Sequence, residues 1–129
     1  MRDQHRMRKL LIFLAASEGL TGLILLVYPP IVIRLLFGTE IAGAGVFTSR
    51  LAAISLIALG VACWPDHDTL RGFRGMLTYG LLAMLYLVSV GMNGGAGILL
   101  WPAVAAHAAV SVLLVRTWWK ERKAPEAST

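Results

Sequence analysis

The chain reads as an all-α integral membrane protein, a four-helix transmembrane bundle with both the N- and C-termini cytoplasmic. Two observations predict this. Four apolar runs, over residues 10–28, 46–64, 73–92 and 98–118, fill most of the 129 residues. Each has about the 20 residues that an α-helix needs to cross ~30 Å of hydrocarbon. The basic residues, in turn, gather at one set of run ends. Composition agrees: 57% of residues are hydrophobic and 15% charged, against roughly 25% charged in a soluble domain. A soluble bundle would carry charged outer faces. Segments 20–33 and 51–65 contain no Asp, Glu, Lys, Arg or His, so their helices have no wet face. Residues 1–129 therefore form a single transmembrane domain, with no room for a separate soluble one.

Each element follows from local punctuation. Arg2, Arg6, Arg8 and Lys9 precede the first run. A basic start followed by an apolar run resembles a secretion signal, but the apolar core of a signal is only about 7–15 residues. Here the run is longer and ends on Tyr28-Pro29-Pro30, not on small residues, so it reads as a retained helix. Proline ends that helix, since it cannot donate to the ladder and restricts the residue before it. Residues 31–37, apolar around Arg34, predict a short helix lying in the outer interface. Gly38 and Gly43-Ala44-Gly45 lead into the second run, which Trp64-Pro65 closes before a polar turn, Asp66-His67-Asp68. Residues 93–97 make a tight turn into the fourth run, with Trp101-Pro102 in its first turn, where proline is tolerated. Residues 124–129 read as a frayed tail. Tyr28, Trp64, Trp101, Trp118 and Trp119 fall at the predicted boundaries, as an aromatic belt requires.

Orientation follows from Lys and Arg. Beyond the leading cluster, Arg71 and Arg74 lie between runs two and three, and Arg116, Lys120, Arg122 and Lys123 at the end of run four. The opposite side has Arg34 alone between the runs. The same bias accounts for the net charge of +5 and the pI near 10.0. It points to anionic headgroups of the lipid bilayer and away from nucleic acid, because the cations are split among three short segments. Cys63 is the only cysteine, which excludes an intrachain disulfide and a thiolate metal cluster. No Ser/Arg-rich presequence is visible, so a bacterial inner (cytoplasmic) membrane is the expected location.

Chemistry must come from polar groups inside the apolar runs, where they are costly. Glu18 sits mid-way along the first helix among Ser17, Gly19, Thr21 and Gly22, small residues that admit a close neighbour. At the helical rise it lies ~15 Å deep, and Arg50 ~6–9 Å deep on the second helix. Arg50 is the expected ion-pair partner. The pair would either lock two helices together or belong to a site, and a snorkelling Arg50 is the third reading. His107 lies ~13 Å deep in the fourth helix, amid alanines, with Ser111 one turn on along its face. It reads as a hydrogen-bonded interior residue or as a ligand to haem or a metal. Tyr79 and Tyr86, seven residues apart, share one stripe of the third helix with Asn93. They form a packed aromatic seam or part of a site. Glu18, Arg50, Tyr86 and His107 all fall between the outer surface and the midplane, and one shared polar pocket opening toward the outer leaflet explains them together. Tyr79 and Ser111 complete the candidate set. No catalytic motif and no metal-ligand spacing is present, and Asp66-His67-Asp68 reads as a solvated turn.

Two family resemblances bear on function. Length, four helices and the central Glu18 resemble the small multidrug resistance exporters, in which such a carboxylate exchanges protons for a cation. The aromatic signature of that family's third helix is missing here, and the strong Lys/Arg asymmetry is unlike dual-topology insertion. The pattern Tyr28-Pro29, Leu36-Phe37-Gly38, Arg50 opening the second helix and Leu59-Gly60 before the turn is similar to DoxX-like small four-helix bacterial membrane proteins, over about half the chain. That resemblance implies a redox-associated accessory role. Three classes follow as expectations. The first is a non-catalytic membrane subunit or a binding protein for a small amphipathic, quinone-like ligand. The second is a proton-coupled exporter using Glu18, and the third an intramembrane enzyme on a lipid-soluble substrate. A homodimer, or membership of a larger membrane complex, is expected for each, since the alanine-rich face of the fourth helix suits close contact.

Overall fold

Proline, glycine and the charged ends decide where the helices begin and stop. The computed structural model describes residues 2–65 and 69–123. Five helices form, α1 (Arg2–Val27), α2 (Pro29–Phe37), α3 (Ala44–Ala62), α4 (Thr69–Met92) and α5 (Leu100–Lys123). No strand occurs among the described residues. The helices α1, α3, α4 and α5 each contain a stretch long and apolar enough to cross a membrane. The expected turn at Asp66-His67-Asp68 and the tail over 124–129 lie outside the described residues.

Three long helices overrun the limits that hydropathy sets. α1 begins at Arg2 where the apolar run starts near Leu10, α4 begins at Thr69 ahead of Phe73, and α5 continues past Trp118 to Lys123. Lys, Arg, Gln and Met are good helix formers, and a hydrogen-bonded ladder does not stop where hydrocarbon ends. The added turns of α1 serve packing, since Met7 is buried. The two prolines act differently from a simple stop. Tyr28, at φ −137°, breaks the chain from α1, and Pro29 and Pro30 then occupy the first turn of α2, where a missing N–H is harmless. Gly38 closes α2 in the left-handed region, at φ 68°, its N–H donating to the Arg34 carbonyl at 2.9 Å.

The long helices pack as two pairs. α1 and α3 touch along their length, and glycines let their backbones meet. A Cβ at Gly22 would stand 2.8 Å from the Ala53 carbonyl oxygen, and one at Gly60 would stand 2.7 Å from that of Ala15. α4 and α5 form the second pair. α1 touches both members of that pair, whereas α3 scarcely touches either. The core gathers where the first half of α1 meets the second half of α5, from Met7, Leu11, Leu14 and Ala15 of α1, Cys63, Phe73 and Met76 around the α3–α4 junction, and Leu114 of α5. Beside it Phe73 stacks on Trp118, centroids 5.5 Å apart, and the Arg122 guanidinium lies 4.1 Å over the Trp118 ring. Toward the other end the pairs part. There α2 touches α1, α3 and α5, and the Gly97 and Leu99 N–H groups donate to the Leu36 and Leu35 carbonyls, each at 2.8 Å. Large apolar side chains such as Phe13, Phe47 and Met92 point outward, Met92 at 78% exposure. An exterior of this kind suits hydrocarbon.

Candidate functional site

Where the two pairs part they enclose a cavity of about 850 Å³, and all five helices supply its wall. The contributions keep helical spacing. Glu18, Thr21 and Leu25 come from α1, and Ser49, Ala52, Ser55, Leu56 and Leu59 from α3. α4 presents Tyr79, Ala83, Tyr86 and Leu87, and α5 presents Ala103, Ala106 and His107. Val32, Ile33, Leu36 and Phe37 of α2 cover the end away from the core. Residues at i, i+3, i+4 and i+7 share a helix face, so each wall is one stripe of its helix.

The polar groups of the wall divide into two kinds. Most hydroxyls bond back to their own helices: Thr21 donates to the Ser17 carbonyl at 2.9 Å, Ser49 to Gly45 at 2.8 Å and Ser55 to Leu51 at 3.1 Å. Such bonds use the one donor proton of each hydroxyl locally and leave only its acceptor lone pairs for a ligand. Glu18, Tyr79, Tyr86 and His107 are different. Their side chains make no hydrogen bond to one another or to the backbone among the described residues. Glu18 lies within electrostatic reach of Tyr79, and the Tyr79 ring meets the His107 ring edge-on, centroids 5.9 Å apart at 80°. One carboxyl, one imidazole and two phenols thus converge on a chamber whose remaining wall is mostly apolar. Among the described residues, no Lys or Arg lines it.

The predicted residues fare differently in space. Glu18, Tyr79, Tyr86 and His107 share the cavity. Arg50 does not line it; the side chain is exposed, and the ion pair with Glu18 expected from depth does not form. Helical azimuth explains this. At ~100° per residue Arg50 is turned well away from the stripe that Ser49, Ala52 and Leu56 present. Ser111, 6% exposed, packs between α4 and α5, its hydroxyl close to Gly80 and without a hydrogen-bond partner. It stands behind the wall. Thr21, Ser49 and Ser55 line the cavity without having been singled out in the sequence, and so does one face of α2. The signal for them was the i, i+3, i+4 spacing from Glu18 along α1 and from Ser49 along α3.

His107 is the one imidazole at the cavity, and no group of three or more His, Cys, Asp or Glu is placed to hold a metal ion among the described residues. In comparisons with known proteins, no family model, no curated protein and no solved structure matches this chain.

Proposed function

We propose that the chain is a multi-pass membrane protein of the bacterial inner membrane, termini cytoplasmic, that binds a small amphipathic ligand inside its bundle as a non-catalytic accessory subunit. One observation carries this reading. Four polar side chains with unused hydrogen-bonding capacity face a chamber of about 850 Å³ whose remaining wall is mostly apolar. Ligand sites of ~300–1,000 Å³ with a few convergent polar groups in an apolar lining have this form. Tyr79, Tyr86 and His107 can donate to carbonyl oxygens, which suits a quinone-like head and agrees with the DoxX-like resemblance. The test is retention. Protein purified in nanodiscs is extracted with organic solvent, and the extract is searched for a lipid-soluble small molecule. The wild type should carry one at near-stoichiometric yield. Ala83→Trp, which fills the chamber from its wall, should lose it while keeping its helical content. Equal yields from both proteins would overturn the reading.

A second reading has its own observation. Glu18 faces the chamber with no cationic side chain beside it among the described residues, as a carboxyl that exchanges protons for a cationic solute must. On that reading Glu18→Gln abolishes proton-driven solute efflux from vesicles and leaves the fold intact. Unchanged efflux in Glu18→Gln would exclude it.

A further inference from the structure

The chamber has one unguarded side. α3 lies along α1 and scarcely touches α4 or α5. It approaches α4 at the core end, where the Cys63 carbonyl oxygen lies 2.8 Å from the place a Gly72 Cβ would take. Between that contact and α2, the wall between α3 and the α4–α5 pair is a slot. Ser55, Tyr86 and Ala106 line the chamber and are exposed nonetheless, Tyr86 at 63%. Both ends of the bundle are shut. Leu11, Leu14, Met76 and Leu114 pack the core end. The far end is covered by α2, and Gly97 and Leu99 tie its last turn to the α4–α5 connection through backbone hydrogen bonds.

In a bundle that crosses the membrane, a chamber closed at both ends and slotted along its side communicates with acyl chains, not with water. The geometry points to lateral admission: the ligand is a membrane-dissolved amphiphile that passes between α3 and the α4–α5 pair, sets a hydrogen-bonding head against Glu18, Tyr79 and His107, and leaves its apolar tail in the slot. This inference rests on the binding reading and narrows its ligand to lipid-soluble molecules.

Site-directed spin labelling tests the route. Nitroxides are attached at Ala106→Cys and, across the slot, at Ser55→Cys, each in a Cys63→Ala background in nanodiscs. Collision rates are measured with molecular oxygen, which concentrates in hydrocarbon, and with a water-soluble nickel chelate. Val112→Cys on the exposed outer face of α5 and Glu40→Cys in the exposed loop before α3 give the lipid and water references. Labels at Ala106 and Ser55 should show the oxygen-to-nickel ratio of Val112, and either label suffices if the other variant does not fold. Nickel contact at these positions as frequent as at Glu40 would overturn lateral admission. Ligand retention by the wild type is read on the same preparation. A retained ligand with water-accessible labels sinks the route alone. Lipid-accessible labels with nothing retained sink the binding reading, and the proposed ligand with it.

Discussion

At the scale of single residues, the site is defined by which polar groups have already spent their hydrogen bonds. Thr21, Ser49 and Ser55 donate to their own helices, whereas Glu18, Tyr79, Tyr86 and His107 keep their capacity for something in the chamber. The difference predicts unequal effects from substitutions of similar size. Tyr79→Phe removes one hydroxyl and little else. It should weaken ligand retention about tenfold, because leaving a buried partner unmatched costs ~1–3 kcal/mol. Arg50→Gln should leave retention unchanged, since Arg50 is turned away from the chamber. Competition of the extracted ligand against each variant measures both, and a loss at Arg50 matching that at Tyr79 would contradict the placement. Sequence reading placed Glu18, Tyr79, Tyr86 and His107 at levels that meet at one chamber, and it gave Arg50 and Ser111 the wrong direction. Depth follows from counting residues from a boundary. Direction depends on how α3 is rotated against α1, and that rotation is set by the glycine contacts, which no polar pattern records.

At the scale of elements, the α1–α3 pair is held by backbone contact. Gly60 and Gly19 stand at the same crossing and predict opposite outcomes. Gly60→Ala drives a Cβ to within 2.7 Å of the Ala15 carbonyl oxygen and should cost about 1–3 kcal/mol, the usual penalty for overpacking. Gly19→Ala meets nothing within 4 Å and should be neutral or gain up to ~1 kcal/mol from helix propensity. Heat unfolding in mild detergent distinguishes them, and equal midpoints would refute the close crossing. Hydropathy made the four long helices and the short helix after Tyr28 legible. The extra turns of α1 and α5 were not, because charge marks the edge of hydrocarbon and not the end of a helix. The role of α2 was equally hidden. Its apolar face reads as interfacial from composition, and only its bonds to Gly97 and Leu99 make it the cover of a chamber.

At the scale of the whole molecule, the bundle is tight at one end and parted at the other, with the first turns of α1 and the last turns of α5 at the tight end. On the proposed orientation, in which Lys and Arg mark the inner side, that end faces the cytoplasm. A fluorescent protein fused after Thr129 should therefore glow in a bacterial host. Glu40→Cys, in the exposed loop before α3, should react with an impermeant maleimide in intact cells. A dark fusion together with an unreactive Glu40→Cys would reverse the assignment. On the proposed lateral route, the gap between α3 and the α4–α5 pair also changes what affinity means for this protein. Surrounding phospholipid can occupy such a cleft, so a bound guest must displace its hosts, and association becomes an exchange within the bilayer. Occupancy is then governed by mole fraction in the membrane: adding lipid at constant guest empties the protein, whereas adding buffer leaves it filled.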